Sequence, residues 1–427
     1  MPTPSSASLP FVEARSNLSI AEARTRIHAQ LHTVTETETL NLFDALGRVL
    51  AEDVVSPIDV PGHDNSAMDG WALRGSDLPA EGAVSLRETG AALAGQAWDG
   101  VVGPGECVRI TTGAVMPTGC DTVIPQELAE SGKGTVTIPP DVLRPGDNRR
   151  KRGEDLALGK TALAAGRVLR PSDLGLLASL GIARVQVRRR LRVAIFSTGD
   201  ELCAPGQALA PGCVYDSNRY TLHGMLQRLG CQVIDLGHVH DDAAALEAAF
   251  ARACVEADAV ITSGGVSVGE ADFTKQVMAR LGDVDFWRIE MRPGRPMAFG
   301  RICGALNAEQ PACLFGLPGN PVAVMVTFYF LVRDALLQMM GAVEPALPLL
   351  RAPTATAMRK KPGRTEYQRG ILARDAGGKL QVRVTGSQGS GILRSMSEAN
   401  CMIVLGHEQG DVAAGEEVDV LVFDGLV

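Results

Sequence analysis

The period of the apolar positions changes several times along this chain, and each change marks a new kind of element. From Val193 to about Met340, short continuous apolar runs alternate with stretches of helical spacing. The runs are VAIFS, QVIDLG, AVITS and DFWRI. The helical stretches are Arg219 to Leu229, ended by Gly230, then Ala243 to Glu256, Phe273 to Leu281, and a long segment from Pro321. Strands alternating with helices predict βαβ units and a doubly wound, mostly parallel sheet, placed over residues 191–342. Earlier in the chain, Ser19 to Val34 sets Ile20, Ala23, Ile27 and Leu31 on one helical face, with Ser19 as N-cap and Glu22 three residues on. Thr39 to Val55 is expected to be a second amphipathic helix, and Pro171 to Leu180 a third, stopped by Gly181. Residues 18–55 and 154–190 therefore read as a helical scaffold. Between them, VSLRET, ECVRITTG, DTVIPQE and TVTIP are strand candidates separated by turn residues, predicting a small β domain inserted at 56–153. After Pro345 the pattern is β again, giving a compact barrel-like domain over 345–427. Residues 1–17 read as a disordered tail. The fold class is multidomain, with α/β and β parts.

Length and composition narrow the classes of function. A chain of 427 residues needs several cores, and 45% hydrophobic with 21% charged residues can fill them. A net charge of −8 argues against general nucleic-acid binding, which needs a dominating basic surface. The nine cysteines stand singly with no CxxC pair, so they read as reduced thiols of a cytoplasmic protein. No basic start and apolar core mark a signal peptide. The run Val322 to Val332 falls short of the roughly 20 residues that span a bilayer and reads as a buried helix, so no membrane partner is expected. The basic run Arg149 to Arg152 reads as a solvated loop that can favour an anion, and His238 and His240 read as loop residues without a role.

Candidate chemistry gathers where three predicted strands end. TSGGVSVGEADFTK (262–275) follows the strand DAVI, and Gly264, Gly265 and Gly269 permit positive φ and close approach of backbone N–H groups to an anion. Asp272 suits either a helix N-cap or a functional carboxylate. STGDEL (197–202) and GLPGNP (316–321) open from strands in the same way, the latter with Asn320 at an N-cap and Pro321 at the first helical position. In a parallel sheet these ends share one edge, where ligands of open α/β folds sit.

These motifs, with YDSNR (215–219) and RPGRPMAFG (292–300), resemble the molybdopterin molybdenumtransferases, the family that includes the gephyrin E domain. PGHDNSAMDGWALR (61–74), RITTGAVMP (109–117) and RRKRGEDL (149–156) are similar to motifs of the same family's second domain. The resemblance covers nearly the whole chain in order. It implies insertion of molybdate into adenylated molybdopterin with release of AMP, forming molybdenum cofactor. It places Asp69, Thr112 and Asp155 in the active cleft with Glu201, Asp241 and Asp272, the last three as candidate ligands of Mg²⁺, which favours a few carboxylates plus substrate phosphate. The substrate contacts it implies are Asp216, Asn218, Ser263, Gly264, Gly265, Ser267, Gly269, Lys275, Pro318, Gly319, Asn320 and Pro321, with Arg369 and, in the TGSQGS segment, Ser390. Molybdate is a tetrahedral dianion, and Arg288 and Arg292 are the expected cationic donors. Positions 288, 292 and 295 are often lysine in relatives and all arginine here, which keeps the charge and changes its geometry. The resemblance further implies a homodimer whose cleft is completed across the two-fold axis, and contact with the adenylyltransferase and with molybdoenzymes. Alternatives are a molybdopterin adenylyltransferase or a CinA-like enzyme, which share the α/β domain, and a scaffold protein that keeps the fold with a degraded site.

Overall fold

The computed structural model describes residues 17–79, 81–266, 273–302, 311–343 and 347–423. Its largest sheet has seven strands in the order Asn17–Leu18, Gly282–Ile289, Pro296–Ile302, Ala312–Leu317, Ala259–Ser263, Arg192–Thr198, Gln232–Val239. Only Pro296–Ile302 runs against its neighbours. The two central strands, Ala259–Ser263 and Ala312–Leu317, are buried at every position, which is why they read as unbroken apolar runs. Leu222, Met225 and Leu226 of the helix Asn218–Arg228 pack on one face of the sheet with the helices that follow Pro321. Leu246 and Phe250 of Ala243–Glu256 and Val277 and Met278 of Phe273–Leu281 cover the other. The long apolar segment is helical over Pro321–Met339, with one π-helical stretch at Phe328–Val332. It is long and apolar enough to cross a membrane, yet 78% of it is buried by its own fold, as a core helix is.

The N-terminal region differs from expectation. Ser19 does cap the helix Ile20–His28 through a capping box with Glu22. Leu18, Ala23 and Ile27, however, belong to the core of the α/β domain, so this helix is part of that domain and not of a separate scaffold. The helix expected over Thr39 to Val55 does not form. Thr37–Asn41 is a strand paired antiparallel with Arg184–Arg188, Leu42–Asp44 is a single 3₁₀ turn, and Val54–Val55 pairs with Thr161–Leu163. Gly47, at φ +70, breaks the helical path between them. The helix Pro171–Ser179 contributes Leu177 to a small core with Leu50, Leu169, Val185 and Val187. The region is a mixed αβ unit. The inserted segment carries a six-stranded sheet in which Gly70–Leu73 lies between Thr122–Pro125 and Glu106–Ile110.

In the C-terminal region Thr365–Arg374 pairs with Cys401–Leu405, which pairs with Glu417–Val422, which pairs with Leu350–Pro353. A bridge from Thr354 to Val382 joins this edge to Leu380–Val384, which pairs back onto Thr365–Arg374, so the sheet closes. The two-residue strand Met291–Arg292 adds to its outside, parallel with Thr365 and Glu366, and ties the α/β domain to the barrel.

Candidate active site

The three strand ends converge as the parallel register requires: Ser197 lies opposite Ser263, and Ser263 opposite Leu317. Asn218, the first residue of its helix, locks them together. Its Nδ2 donates to Ser263 Oγ at 2.8 Å and to the Gly319 carbonyl at 2.7 Å. The Gly264 amide donates to the Leu317 carbonyl at 3.2 Å. Gly264 and Gly265 stand at φ +99 and +68, and a Cβ on Gly264 would lie 2.4 Å from the Thr198 carbonyl, so no other residue fits there. Around this floor the Oγ1 atoms of Thr198 and Thr262 and the Oδ1 of Asn218 are buried with no partner among the described residues, as they would be where a polar ligand supplies the missing bonds. Asp216 is 2% exposed and accepts from Ser197 Oγ at 2.5 Å and from Arg219 Nε at 3.0 Å. It therefore shapes the floor from beneath, a correction to its expected role as a substrate contact.

Asp241 does not cap a helix; Asp242 does, accepting from the Ala244 amide at 2.9 Å. Asp241 is left to accept from Thr274 Oγ1 at 3.3 Å, and its own amide donates to Asp200 Oδ1 at 3.4 Å. Glu201 lies in the turn beside Asp200, its carboxylate exposed. Among the described residues no three metal-ligating side chains are gathered. Glu201 and Asp241, two carboxylates beside a glycine floor, nevertheless fit Mg²⁺, which takes most of its other ligands from water and phosphate. Ser267, Gly269, Asp272 and the Lys275 side chain lie outside the described residues.

A second polar set forms in the inserted domain. Asn65–Ser66 pairs antiparallel with Arg149–Arg150, and the Gly113 amide donates to the Ser66 carbonyl at 2.8 Å, so its three motifs meet. Asp69 accepts from the Thr112 amide at 2.7 Å and from its hydroxyl at 2.9 Å. These two bonds, the amide first, hold the Asp69 carboxyl below its ordinary pKa. Asp155 is exposed, with its amide on the Val60 carbonyl. The basic run is not simply a loop: Arg149 and Arg150 are its paired strand, and Arg149 faces Asp64 at 3.8 Å. Among the described residues no hydrogen bond or ion pair links this domain to the α/β domain of the same chain.

Between the α/β domain and the barrel lies a cleft of about 480 Å³, lined by Arg292, Arg295, Pro318, Gly319, Asn320, Arg364 and Ser390 among others. Its arginines come from two domains and converge because Met291–Arg292 is paired onto the barrel. Ser390 also accepts the Val322 amide at 3.0 Å, satisfying the start of the long helix, so Asn320 needs no side-chain cap bond and makes none. A larger cavity of about 630 Å³ lies elsewhere, lined by Tyr329, Phe330, Tyr367 and neighbours, and holds none of the expected site residues.

Two further expectations need correction. Arg288 does not line this cleft; two and four residues on from Phe286 and Val284, it shares their face of the sheet, opposite the face of Trp287 and Ile289. Arg369 is fully buried. Its guanidinium donates to Ser395 Oγ at 2.9 Å and to the carbonyls of Gln388 at 3.2 Å and Gly389 at 2.9 Å, leaving it to hold the loop that carries Ser390. Burial, with Arg292 nearby, lowers its pKa to about 10, so it keeps its charge at neutral pH. Arg295 and Arg364 take the places expected for Arg288 and Arg369. The twin arginines in RPGRP were the available signal for the first; nothing in sequence separates Arg364 from Arg369.

Comparison with known proteins defines the class first. Three family models match in succession: the MoeA N-terminal region (domain I and II) over residues 18–181, the "Probable molybdopterin binding domain" over 194–338, and the MoeA C-terminal region (domain IV) over 351–423. Molybdopterin molybdenumtransferase of Haemophilus influenzae is 43% identical over 412 residues, covering 96% of this chain and 100% of the relative. Molybdopterin molybdenumtransferase 2 of Mycobacterium tuberculosis is 35% identical, covering 92% and 97%. The crystal structure of the molybdopterin biosynthesis moeA protein from Pyrococcus horikoshii matches with a TM-score of 0.80 at 27% identity, over 96% of this chain and all of that one. The chain belongs to the MoeA family of molybdopterin molybdenumtransferases.

Proposed function

We propose that this protein inserts molybdenum into adenylated molybdopterin, taking molybdate as substrate and releasing AMP. The observation that carries this reading is the juxtaposition at Pro318, Gly319 and Asn320. These residues end a central strand beside the glycine floor, and they also line the arginine cleft. A pyrophosphate lies naturally against Gly264 and Gly265, whose backbone can approach it closely. Arg292, Arg295 and Arg364 supply planar cationic forks for a tetrahedral oxyanion next to it. Glu201 and Asp241, with Asp272, would hold Mg²⁺, which when bound neutralises charge on the phosphoanhydride oxygens. The molybdenum ligands come from the pterin's dithiolene, so no protein thiol cluster is needed.

The second polar set, around Asp69 and Thr112, belongs to the same reaction if a second copy of the chain presents it. We propose a homodimer in which the inserted domain of one subunit closes the strand-end site of the other, giving two equivalent composite sites. The direct test of function is to incubate the purified protein with adenylated molybdopterin, Mg²⁺ and molybdate and to follow AMP. Molybdate-dependent release supports the reading. Formation of adenylated pterin from ATP, with no such release, would assign the preceding step instead.

A further inference from the structure

His238 carries no motif, and its surroundings give it a task. The strand Gln232–Val239 pairs with Arg192–Thr198 so that Ile195 lies opposite Asp235, but Ser197 lies opposite His238 and not Gly237. One extra residue has entered the outer strand, a bulge of a kind seldom seen between parallel strands. Because side chains alternate, that residue moves His238 to the face opposite the one a regular ladder would give it. The bulge is anchored. Gly237 stands at φ +81 with its amide on Asp235 Oδ1 at 2.9 Å, and the other oxygen of Asp235 accepts from Arg219 at 2.6 Å. Arg219 also holds Asp216, so the bulge is braced against the helix that carries Asn218.

The re-aimed ring reaches the Gly199 carbonyl, with Nε2 at 2.9 Å. Gly199 stands at φ +141, and a Cβ there would fall 2.6 and 2.8 Å from the two carboxylate oxygens of Glu201. The Glu201 carboxylate therefore rests directly on the bare α-carbon of Gly199. Whatever fixes the Gly199 peptide fixes the surface on which that carboxylate lies. The His240 ring packs edge-on against His238 with centroids 5.2 Å apart.

We propose that His238 is a positioning residue for Glu201: it donates Nε2–H to the Gly199 carbonyl and holds the turn 198–201 so that Glu201 faces the strand-end site. This rests on the reading of Glu201 as a working carboxylate of that site. The test compares His238→Ala with His238→Gln, whose amide can replace the donor; His238→Leu stands in if the alanine variant does not fold. Hydrogen exchange is measured first, on protein free of metal and substrate. Loss of one anchoring bond should speed exchange over 198–203 by about tenfold in His238→Ala, and His238→Gln should recover most of the protection. AMP release should then show kcat down by about tenfold with KM for the adenylated pterin within about twofold, again recovered by glutamine. Exchange equal to wild type in His238→Ala overturns the proposal. Faster exchange with unchanged kcat, where Glu201→Gln is inactive, overturns the route through Glu201. An active Glu201→Gln would overturn the reading of the site itself, and the exchange data would still decide whether His238 holds the turn.

Discussion

Arg369 offers a separation that sequence cannot make, between a cation that works by charge and one that works by shape. Its fork reaches Ser395 and the carbonyls of Gln388 and Gly389 at once, and its own backbone amide donates to the Gln388 side-chain oxygen at 2.7 Å. In Arg369→Lys the charge stays, but one ammonium on a flexible stem replaces the planar fork, and about two of the loop contacts are lost. At about 0.5–1.5 kcal/mol net per hydrogen bond, the loop over 386–390 should open more easily by about 1–3 kcal/mol, or roughly fivefold to 150-fold. The barrel should survive, because Ser387 and Gly389 are exposed and their carbonyls can turn to water. Hydrogen exchange over 386–390 and at Val322, whose amide rests on Ser390, reads the opening directly; the molybdate concentration for half-maximal AMP release reads its consequence. Arg369→Lys and Arg369→Met should both loosen the loop and both raise that concentration. A lysine variant with a loosened loop and wild-type molybdate dependence would show that the charge matters and the fork does not. Unchanged exchange in both would refute the anchoring altogether.

Arg292→Ala should raise the half-saturating molybdate concentration tenfold to a hundredfold, the value of about 1.5–3 kcal/mol for a charge-assisted contact, while Arg288→Ala should change it little; the reverse order would move the oxyanion site to the other face of the sheet. Asp69→Asn and Glu201→Gln should each be inactive, yet mixing them under subunit exchange should restore roughly a quarter of wild-type AMP release, since about half the dimers are mixed and each mixed dimer holds one intact site. No recovery, with exchange confirmed by mass spectrometry, would place each site within one chain. Asp258 is partly buried, which alone would raise its pKa, but bonds from Arg189 at 2.7 and 2.8 Å and from the Arg192 amide bring it below the ordinary value. Its contribution to stability is then full above about pH 4 and is lost as pH falls through the depressed value, so wild type should lose thermal stability on acidification more steeply than Asp258→Asn. Parallel pH curves for the two proteins would dismiss that ion pair as a stabilising element.

The α/β region was legible because its physics is local: buried strands need apolar runs, and helices such as Ala243–Glu256 carry their own period and their own stop. The stretch from Thr39 to Val55 misled because Leu42, Ala45, Leu46 and Val49 satisfy a helical spacing, while Leu40 and Leu42 alternate as a strand does. What decided it was a partner, Arg184–Arg188, some 140 residues away. The site residues divide in the same manner. Glycines at 264 and 265 announce a tight approach whatever lies around them. Which of two adjacent aspartates caps a helix, which of several arginines is buried, and whether a histidine sits after a bulge all depend on neighbours that only the folded chain supplies. Arg369, expected at the surface of the cleft, is buried, and His238, expected in a loop, lies in a strand.

The strand Asn17–Leu18 sits at the edge of the main sheet beside Arg288 and Ile289, and Arg24 in the helix that follows donates to the Phe330 carbonyl 306 residues further on. During synthesis the strand Asn17–Leu18 and the Arg24 side chain therefore emerge long before the partners they bind. The six-stranded sheet of the inserted β domain pairs strands from within its own stretch, as do the main strands of the barrel, so each can form as soon as that stretch is complete. The α/β core cannot be finished until the helix ending at Met339 has been made. Closing so long a loop costs little more than closing one of half the length, because the penalty grows only as the logarithm, but it delays the event. The glycine floor thus sets well after the inserted domain, and a chain truncated before residue 339 would carry a folded insertion on an unfinished centre.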